Sequence, residues 1–583
     1  MGSYSPAASD DKRPLTHYSS GEEGESAGIW LGMTGIGGAY GKRWTAVVIA
    51  IGITLIAVLL ALKPAFLIKA VPPLLLLDRL EGENFDLRFR VRGVEKPGPE
   101  TVVVAADEKT AAVLGRWPFS QRYFATAIDR LKADGAKVVA FDVIFPQAEL
   151  DFPDDVRAKL AAIQKALPPD TQSAKDLQAV LDAPDPTEAM ARSMEAAGNV
   201  LIGFTLVGEG DQVVDAGPAP PYLEDWAAYG QITSGPDGKT EVGPDGIGVL
   251  APVERIGKAV HAGGFVNLQK DQDSAPRSEF MARQFDQETY PPLSLATAAA
   301  YLGVPPLGLK LTLSPAASAN VELGDRTVRV DSSGRVLVNY YGPNATFPTY
   351  SLIDVVEGKL PQGTFTDKIV YIGATLTSVQ DLFKTAFSTD LPGVERHATI
   401  TQRILEGGSL VEPDYAKLGG FIAVVVLGLL TAAITARLPV SGGIISTVIL
   451  VVAWWGVGYL ALFPGGVRLS FIYPTISIFL NFIAMTVFRI VREEQQRRTA
   501  EKSLRISEER YALAARGAND GLWDWDLITS RFYTSPRWHQ MLGIAAEEAR
   551  GVPEDWFDRT NVDDVTTLRA ALDAHLGGQA AHF

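Results

Sequence analysis

The 583-residue chain contains no cysteine, which excludes disulfides, thiolate zinc sites and cysteine nucleophiles. Any part that leaves the reducing cytosol must hold together by packing alone. Catalytic signatures are missing too: there is no Walker phosphate loop, no GG[DE]EF, no E-x-L phosphodiesterase motif and no histidine in a kinase dimerisation setting. Charge is absent inside four stretches, Trp44–Leu62, Leu418–Ala436, Gly443–Phe463 and Phe471–Phe488. Each runs about 18–21 residues, close to the roughly 20 that a helix needs to cross a bilayer core. The first begins late and meets Lys63-Pro64 without a small-residue cleavage site, so it is expected to be an uncleaved anchor rather than a signal peptide.

What is present is an acidic chain of net charge −15, long enough for roughly three or four folded units. Basic residues flank the apolar stretches unequally. Lys42 and Arg43 precede the first, Arg437 separates the second and third, and Arg489, Arg492, Arg497 and Arg498 follow the fourth. The positive-inside rule then predicts two cytoplasmic termini and an extracytoplasmic segment over 63–417, with Lys63 and Lys69 against it. Residues 63–416 carry 33 Lys and Arg against 47 Asp and Glu, a balance of −14. Such a surface repels nucleic acid and anionic lipid, and leaves small molecules, cations, peptides or another protein as partners. Residues 1–43 are expected to be a disordered cytoplasmic tail.

Within 63–417, TVVVAAD (101–107) and KVVAFDVIF (137–145) are β-branched runs of the buried parallel type. A helix predicted over 120–134, with Phe124, Ile128 and Leu131 on one face, makes them a βαβ unit. Residues 154–197 read as helices broken at prolines, and 199–207 as another strand. Residues 208–250 read as a long loop, with later strands at RTVRV, RVLVNYYG and KIVYIGA (368–374). The expected fold is an α/β domain with a mixed sheet. Asp107 and Asp142 end strand runs, where open sheets bind ligands, and two carboxylates there suit a cation. They serve equally well as helix caps or as partners of Arg116 or Arg122. DQDSAPR (271–277) starts like a calcium loop but lacks a ligand at its fifth position and Gly at its sixth, which favours a turn. His397, in PGVERHA, has no second histidine nearby and is expected to be structural.

FDLRFRVRG, TVVVAADEKTAAVLGRWPF, GAKVVAFDVIF, KIVYIGA with Asp381 beyond it, and LPGVERHATITQRIL together resemble a CHASE domain of the second type, over about 75–415. That resemblance implies an extracytoplasmic sensory domain of a bacterial receptor, with one span before it and three after. It implies no particular ligand and no cofactor. Ser274 departs from a family turn that tends to be D-x-D-G-x-x-R. Asp107, Arg116, Asp142 and Asp381 are the candidate ligand-facing residues, for a small extracytoplasmic ligand or a protein cue. Any metal they would hold is left open.

Residues 511–543, YALAARGANDGLWDWDLITSRFYTSPRWHQMLG, resemble the start of a PAS domain, and WFDRTNVDD has Asn561 and Val562 where that family has His and Pro. The resemblance implies an α+β unit over 511–583, of which two strands of an expected five precede Phe583. The sequence is therefore expected to be part of a longer chain. Trp523, Trp525, Phe532, Tyr533 and Trp538 line its pocket or fill its core. Between the last apolar stretch and this unit, 489–510 is a charged linker helix. Leu504 and Tyr511 are seven apart, as are Ile506 and Leu513, a narrow seam suited to a homodimer. The whole is expected to sit in the bacterial inner membrane and to relay a signal inward. The expected output is cyclic-di-GMP synthesis or hydrolysis, with a histidine kinase or nucleotide cyclase as alternatives. A metal-dependent hydrolase built on Asp107 and Asp142 is the rival from another class.

Overall fold

The computed structural model describes residues 38–64, 75–169, 171–208, 216–233, 246–271, 273–313, 319–379, 381–517 and 519–582. Of the expected tail, 1–37 lie outside these residues. The chain divides into two compact units, one ending at Thr486 and one beginning at Val487.

The first unit opens with helices α1 (Gly38–Leu62) and α2 (Leu75–Arg92), so the first apolar helix starts six residues before Trp44. A seven-stranded sheet follows, made of β1 (Thr101–Ala106), β2 (Val138–Asp142), β3 (Val200–Val207), β4 (Gly248–Leu250), β5 (Ala262–Phe265), β6 (Thr349–Ser351) and β7 (Ile369–Ala374). Its order is β6-β1-β7-β2-β3-β4, and β5 also pairs with β3. All pairings are parallel except β3 with β4. Continuous apolar runs form the middle strands because both faces are covered. Val103, Val138, Ala140, Leu201, Ile369 and Tyr371 point into one core. Their neighbours Val102, Val104, Val139, Phe141, Val200, Ile202, Val370 and Ile372 point into the other, which is the two-residue alternation of a strand.

Helix α3 (Gln121–Ala133) brings Phe124, Ile128 and Leu131 to the second core, and α4 (Pro186–Ala197) adds Met190 and Met194. Helices α5 (Leu293–Leu302) and α6 (Gly393–Glu406) cover the opposite face with Leu293, Leu295, Val394, Ala398 and Ile404. Two sequence expectations change here. KIVYIGA, as β7, lies between β1 and β2, so Asp107 and Asp142 are not on adjacent strands. The stretch 208–250, where described, is not all loop, since Tyr229–Thr233 joins Leu309–Thr312, Ala319–Leu323 and Arg326–Val330 in a second, four-stranded sheet. Residues 209–215 and 234–245 lie outside the described set.

Among the described residues, four helices are long and apolar enough to cross a membrane: α1, α7 (Asp414–Thr435), α8 (Val440–Leu462) and the apolar part of α9 (Ile472–Gly517). Inside the first unit, Thr54, Ser477 and Asn481 are buried where α1, α7 and α9 meet. Asn481 Nδ2 donates to Thr54 Oγ1 at 3.2 Å and Ser477 Oγ to the Val424 carbonyl at 2.8 Å. Gly428 permits that approach, since a Cβ there would strike Ser477. The second unit contains an antiparallel hairpin, Trp523–Asp526 with Arg531–Thr534, then helices Pro536–Leu542, Glu554–Phe557 and Val562–Leu576.

Candidate functional site

A cavity of about 190 Å³ opens at the carboxyl ends of the central strands. Asp142, the last residue of β2, reaches it from the sheet, and Asp381 reaches it from the segment after β7. Gly393, Arg396 and His397 close it from the first turns of α6, and Val143, Ile144, Val266, Leu268 and Phe383 form apolar walls. Asp381 lies across the start of α6: its carbonyl accepts from Gly393 N–H at 3.1 Å, and a Cβ at Gly393 would collide with its carboxylate. Only glycine admits a carboxylate so close to the helix end.

The floor is electrostatically tense. Burial, the nearby Asp381 charge and only partial relief from Arg396 push the Asp142 carboxyl up to about 7. Burial raises Asp381 as well, opposed by Lys270. Two buried carboxyls this close share a proton. The amino end of α6 favours the anion at Asp381, so Asp142 is the member that holds the proton. Burial lowers Arg396 to about 10 against the pull of Asp142, and its main ion pair is with Glu279, itself buried. His397 is held neutral, well below its ordinary value, by burial and by Arg396. Its Nε2 stands 3.6 Å from Asp142 Oδ1 and 3.3 Å from Arg396 Nη2, and its buried Nδ1 has no hydrogen-bond partner among the described residues. Its ring stacks on Tyr371.

The fold therefore brings Asp142 and Asp381 together and leaves the other two candidates elsewhere. Asp107 caps the short helix Glu108–Leu114: Oδ1 accepts from Thr110 N–H at 2.8 Å, from Thr110 Oγ1 at 2.7 Å and from Ser351 Oγ at 2.7 Å. Those bonds occupy Oδ1 as a helix cap does. Arg116 is exposed and does not line the cavity. A hydrolase site on Asp107 and Asp142 loses its pair, because β7 separates them. Arg396 and His397 join the site through the fold alone, and their only sequence signal is the Pro-Gly start of α6.

The DQDSAPR segment is a turn, described except for Gln272. Asp271 and Asp273 both serve Arg277, at 3.0 and 2.7 Å, and no carboxylate is left over for a cation. Ser274 adopts φ 63°, the left-handed region in which glycine is unstrained. In the second unit Trp538 and Phe532 are buried, Trp523 and Trp525 partly so, and Tyr533 is 61% exposed. Trp523, Phe532 and Trp556 pack against one another with ring distances of 4.7, 5.7 and 6.1 Å, and Phe557 joins Trp525 to Trp556, so these aromatics form one packed cluster beside which Tyr533 is exposed.

Residues 53–434 match the family described as CHASE2 domain. The match begins inside α1 and ends inside α7. A stretch of 51 residues is 43% identical to hybrid signal transduction histidine kinase A of Dictyostelium discoideum, covering 9% of this chain and 2% of that protein. No solved structure matches.

Proposed function

The chain belongs to the CHASE2 family of receptor sensory domains, and from that premise we propose that it is the input part of a bacterial transmembrane receptor. The observation that carries this reading is the placement of the family match, which covers the α/β domain and is bracketed by the apolar helices α1 and α7. In this reading α1, α7, α8 and the start of α9 cross the plasma membrane, both termini are cytoplasmic, and 63–417 face outward. The flanking basic residues support that orientation.

The cavity on Asp142 and Asp381 receives the cue. Its 190 Å³ equals about six waters at roughly 30 Å³ each, so it suits a ligand of few heavy atoms. A buried acid beside a carboxylate favours a ligand that donates hydrogen bonds or carries positive charge. Occupancy biases the arrangement of the spans, and α9, a continuous helix of 46 residues, carries the change inward. Leu504 and Tyr511, seven apart on one face of α9, are 62 and 70% exposed, which supports a homodimer seam on that face. The second unit acts as a PAS-type relay to an output domain that synthesises or hydrolyses cyclic-di-GMP. A histidine-kinase output is the second reading, favoured by the local identity with the Dictyostelium hybrid kinase.

Reporter fusions test the scheme. A fusion after Gly243 reports an extracytoplasmic position, and fusions after Asp10 and Glu501 report cytoplasmic ones. A cytoplasmic signal at Gly243 overturns it.

A further inference from the structure

A second and larger cavity, about 600 Å³, lies where the α/β domain meets the ends of the apolar helices. One wall is apolar and comes from those helices: Ala61 of α1, Phe421 and Val424 of α7, and Tyr473 of α9. The rest is densely charged, with seven basic and five acidic residues. An excess of positive charge stands out in a domain whose overall balance is −14.

Each of the five acidic residues already has a partner. Asp78 pairs with Lys63 and accepts from Tyr473 Oη at 3.0 Å. Glu81 accepts from the backbone N–H groups of Phe471 and Ile472, both at 2.9 Å, at the start of α9. Asp271 and Asp273 hold Arg277, and Glu412 lies 3.4 Å from Arg468. Of the remaining basic groups, Arg335 pairs with Asp331 at 3.0 Å and Lys417 with Asp414 at 2.7 Å. Two cations are left over. Arg79 and Lys270 form no ion pair within 4 Å among the described residues, and both are exposed at the cavity, with Lys270 Nζ also 5.2 Å over the Phe383 ring and its charge opposing the rise of the Asp381 carboxyl.

We propose that this cavity takes the headgroup of an anionic phospholipid, with its acyl chains along the partly exposed Phe421. A site between helix ends that combines an Arg and a Lys outside any described ion pair with an apolar wall matches such a headgroup in charge and in polarity, and the volume lies within the usual range for small-molecule sites. The bulk of the domain repels anions, so this cavity localises the lipid at one place. The occupant lies beside Glu81 and Asp78, the residues that hold the first turn of α9, and lipid composition thereby biases the helix that runs inward.

This inference rests on the reading of α1, α7, α8 and α9 as membrane spans, which recovery of the chain in the membrane fraction tests separately. The cavity is tested by native mass spectrometry on the full chain extracted in detergent, titrated with phosphatidylglycerol, phosphatidylcholine and inorganic phosphate. Phosphatidylglycerol is expected to be retained over phosphatidylcholine. The double variant Arg79→Gln/Lys270→Gln weakens that retention by about 25-fold, the product of two roughly fivefold headgroup contacts. The control Lys159→Gln/Lys258→Gln, at exposed sites elsewhere, leaves it unchanged. Equal retention of both lipids overturns the proposal, as does a double variant that binds like the parent. Inorganic phosphate that binds as tightly as the lipid also overturns it, because the site would then be one for a free anion.

Discussion

Replacing Asp142 by Asn removes one buried proton-binding group while keeping its shape, and the consequence depends on pH with a definite sign. A carboxyl held at about 7, against roughly 3.9 for an exposed aspartate, corresponds to about 4 kcal/mol. Below about pH 4 the group is protonated in both folded and unfolded chains, and folding is not opposed by it. As pH rises, the unfolded chain releases the proton while the folded one retains it, so stability falls until the folded group also ionises near 7. His397 acts in the opposite direction: neutral when folded, it weakens the fold as pH drops below about 6.5. Arg396 and His397 remain in place in the variant, so the difference between parent and variant reports the proton held by the Asp142–Asp381 pair.

The isoelectric point, near 5.0, limits work to about pH 5.5 and above, where roughly 2 of the 4 kcal/mol remain to be lost. An unfolding entropy of about 2.1 cal/mol/K per residue gives a domain of about 350 residues roughly 1.4 °C per kcal/mol. Asp142→Asn should therefore gain about 3 °C in Tm over the parent between pH 5.5 and 8.5, with the gain levelling off above about 7.5. Thermal melting of the purified chain, followed by tryptophan fluorescence, measures it. A Tm difference that does not change with pH refutes the assignment of the proton to Asp142.

Arg277 offers a sharper loss. Its side chain is 4% exposed and binds Asp86, Asp271 and Asp273 at once, so Arg277→Ala leaves two buried carboxylates uncompensated and should cost about 3–5 kcal/mol. Limited proteolysis and melting check this, and a variant as resistant as the parent contradicts it. The linker helix should be sensitive to phase. Deleting four residues between Glu494 and Leu504 turns everything beyond by about 40° and should scramble the output of a complete receptor, whereas deleting seven turns it by only about 20° and should spare it. Equal output from the two deletions would sink the idea that α9 transmits through a rigid seam.

Local burial writes itself into sequence, and that part of the molecule was legible. TVVVAA and KIVYIGA are strands because a strand covered on both faces needs an unbroken apolar run. The face with Phe124, Ile128 and Leu131 announces α3, and four uncharged stretches announce the apolar helices. The capping alternative for Asp107 was also readable, since Thr110 sits three residues on. Sequence could not supply strand order. Inserting β7 between β1 and β2 depends on how distant segments share two cores, and nothing near residue 107 or 142 records it. That single insertion parts Asp107 from Asp142. The fold likewise brings Asp142 to Asp381, Arg396 and His397, more than 230 residues further along. The raised carboxyl of Asp142 has the same origin, because an aspartate acquires it only when remote segments close over it and exclude water. The sequence specified which segments are buried; the tertiary structure decided which charged groups meet beneath them, because desolvation and charge proximity act through space and carry no local pattern.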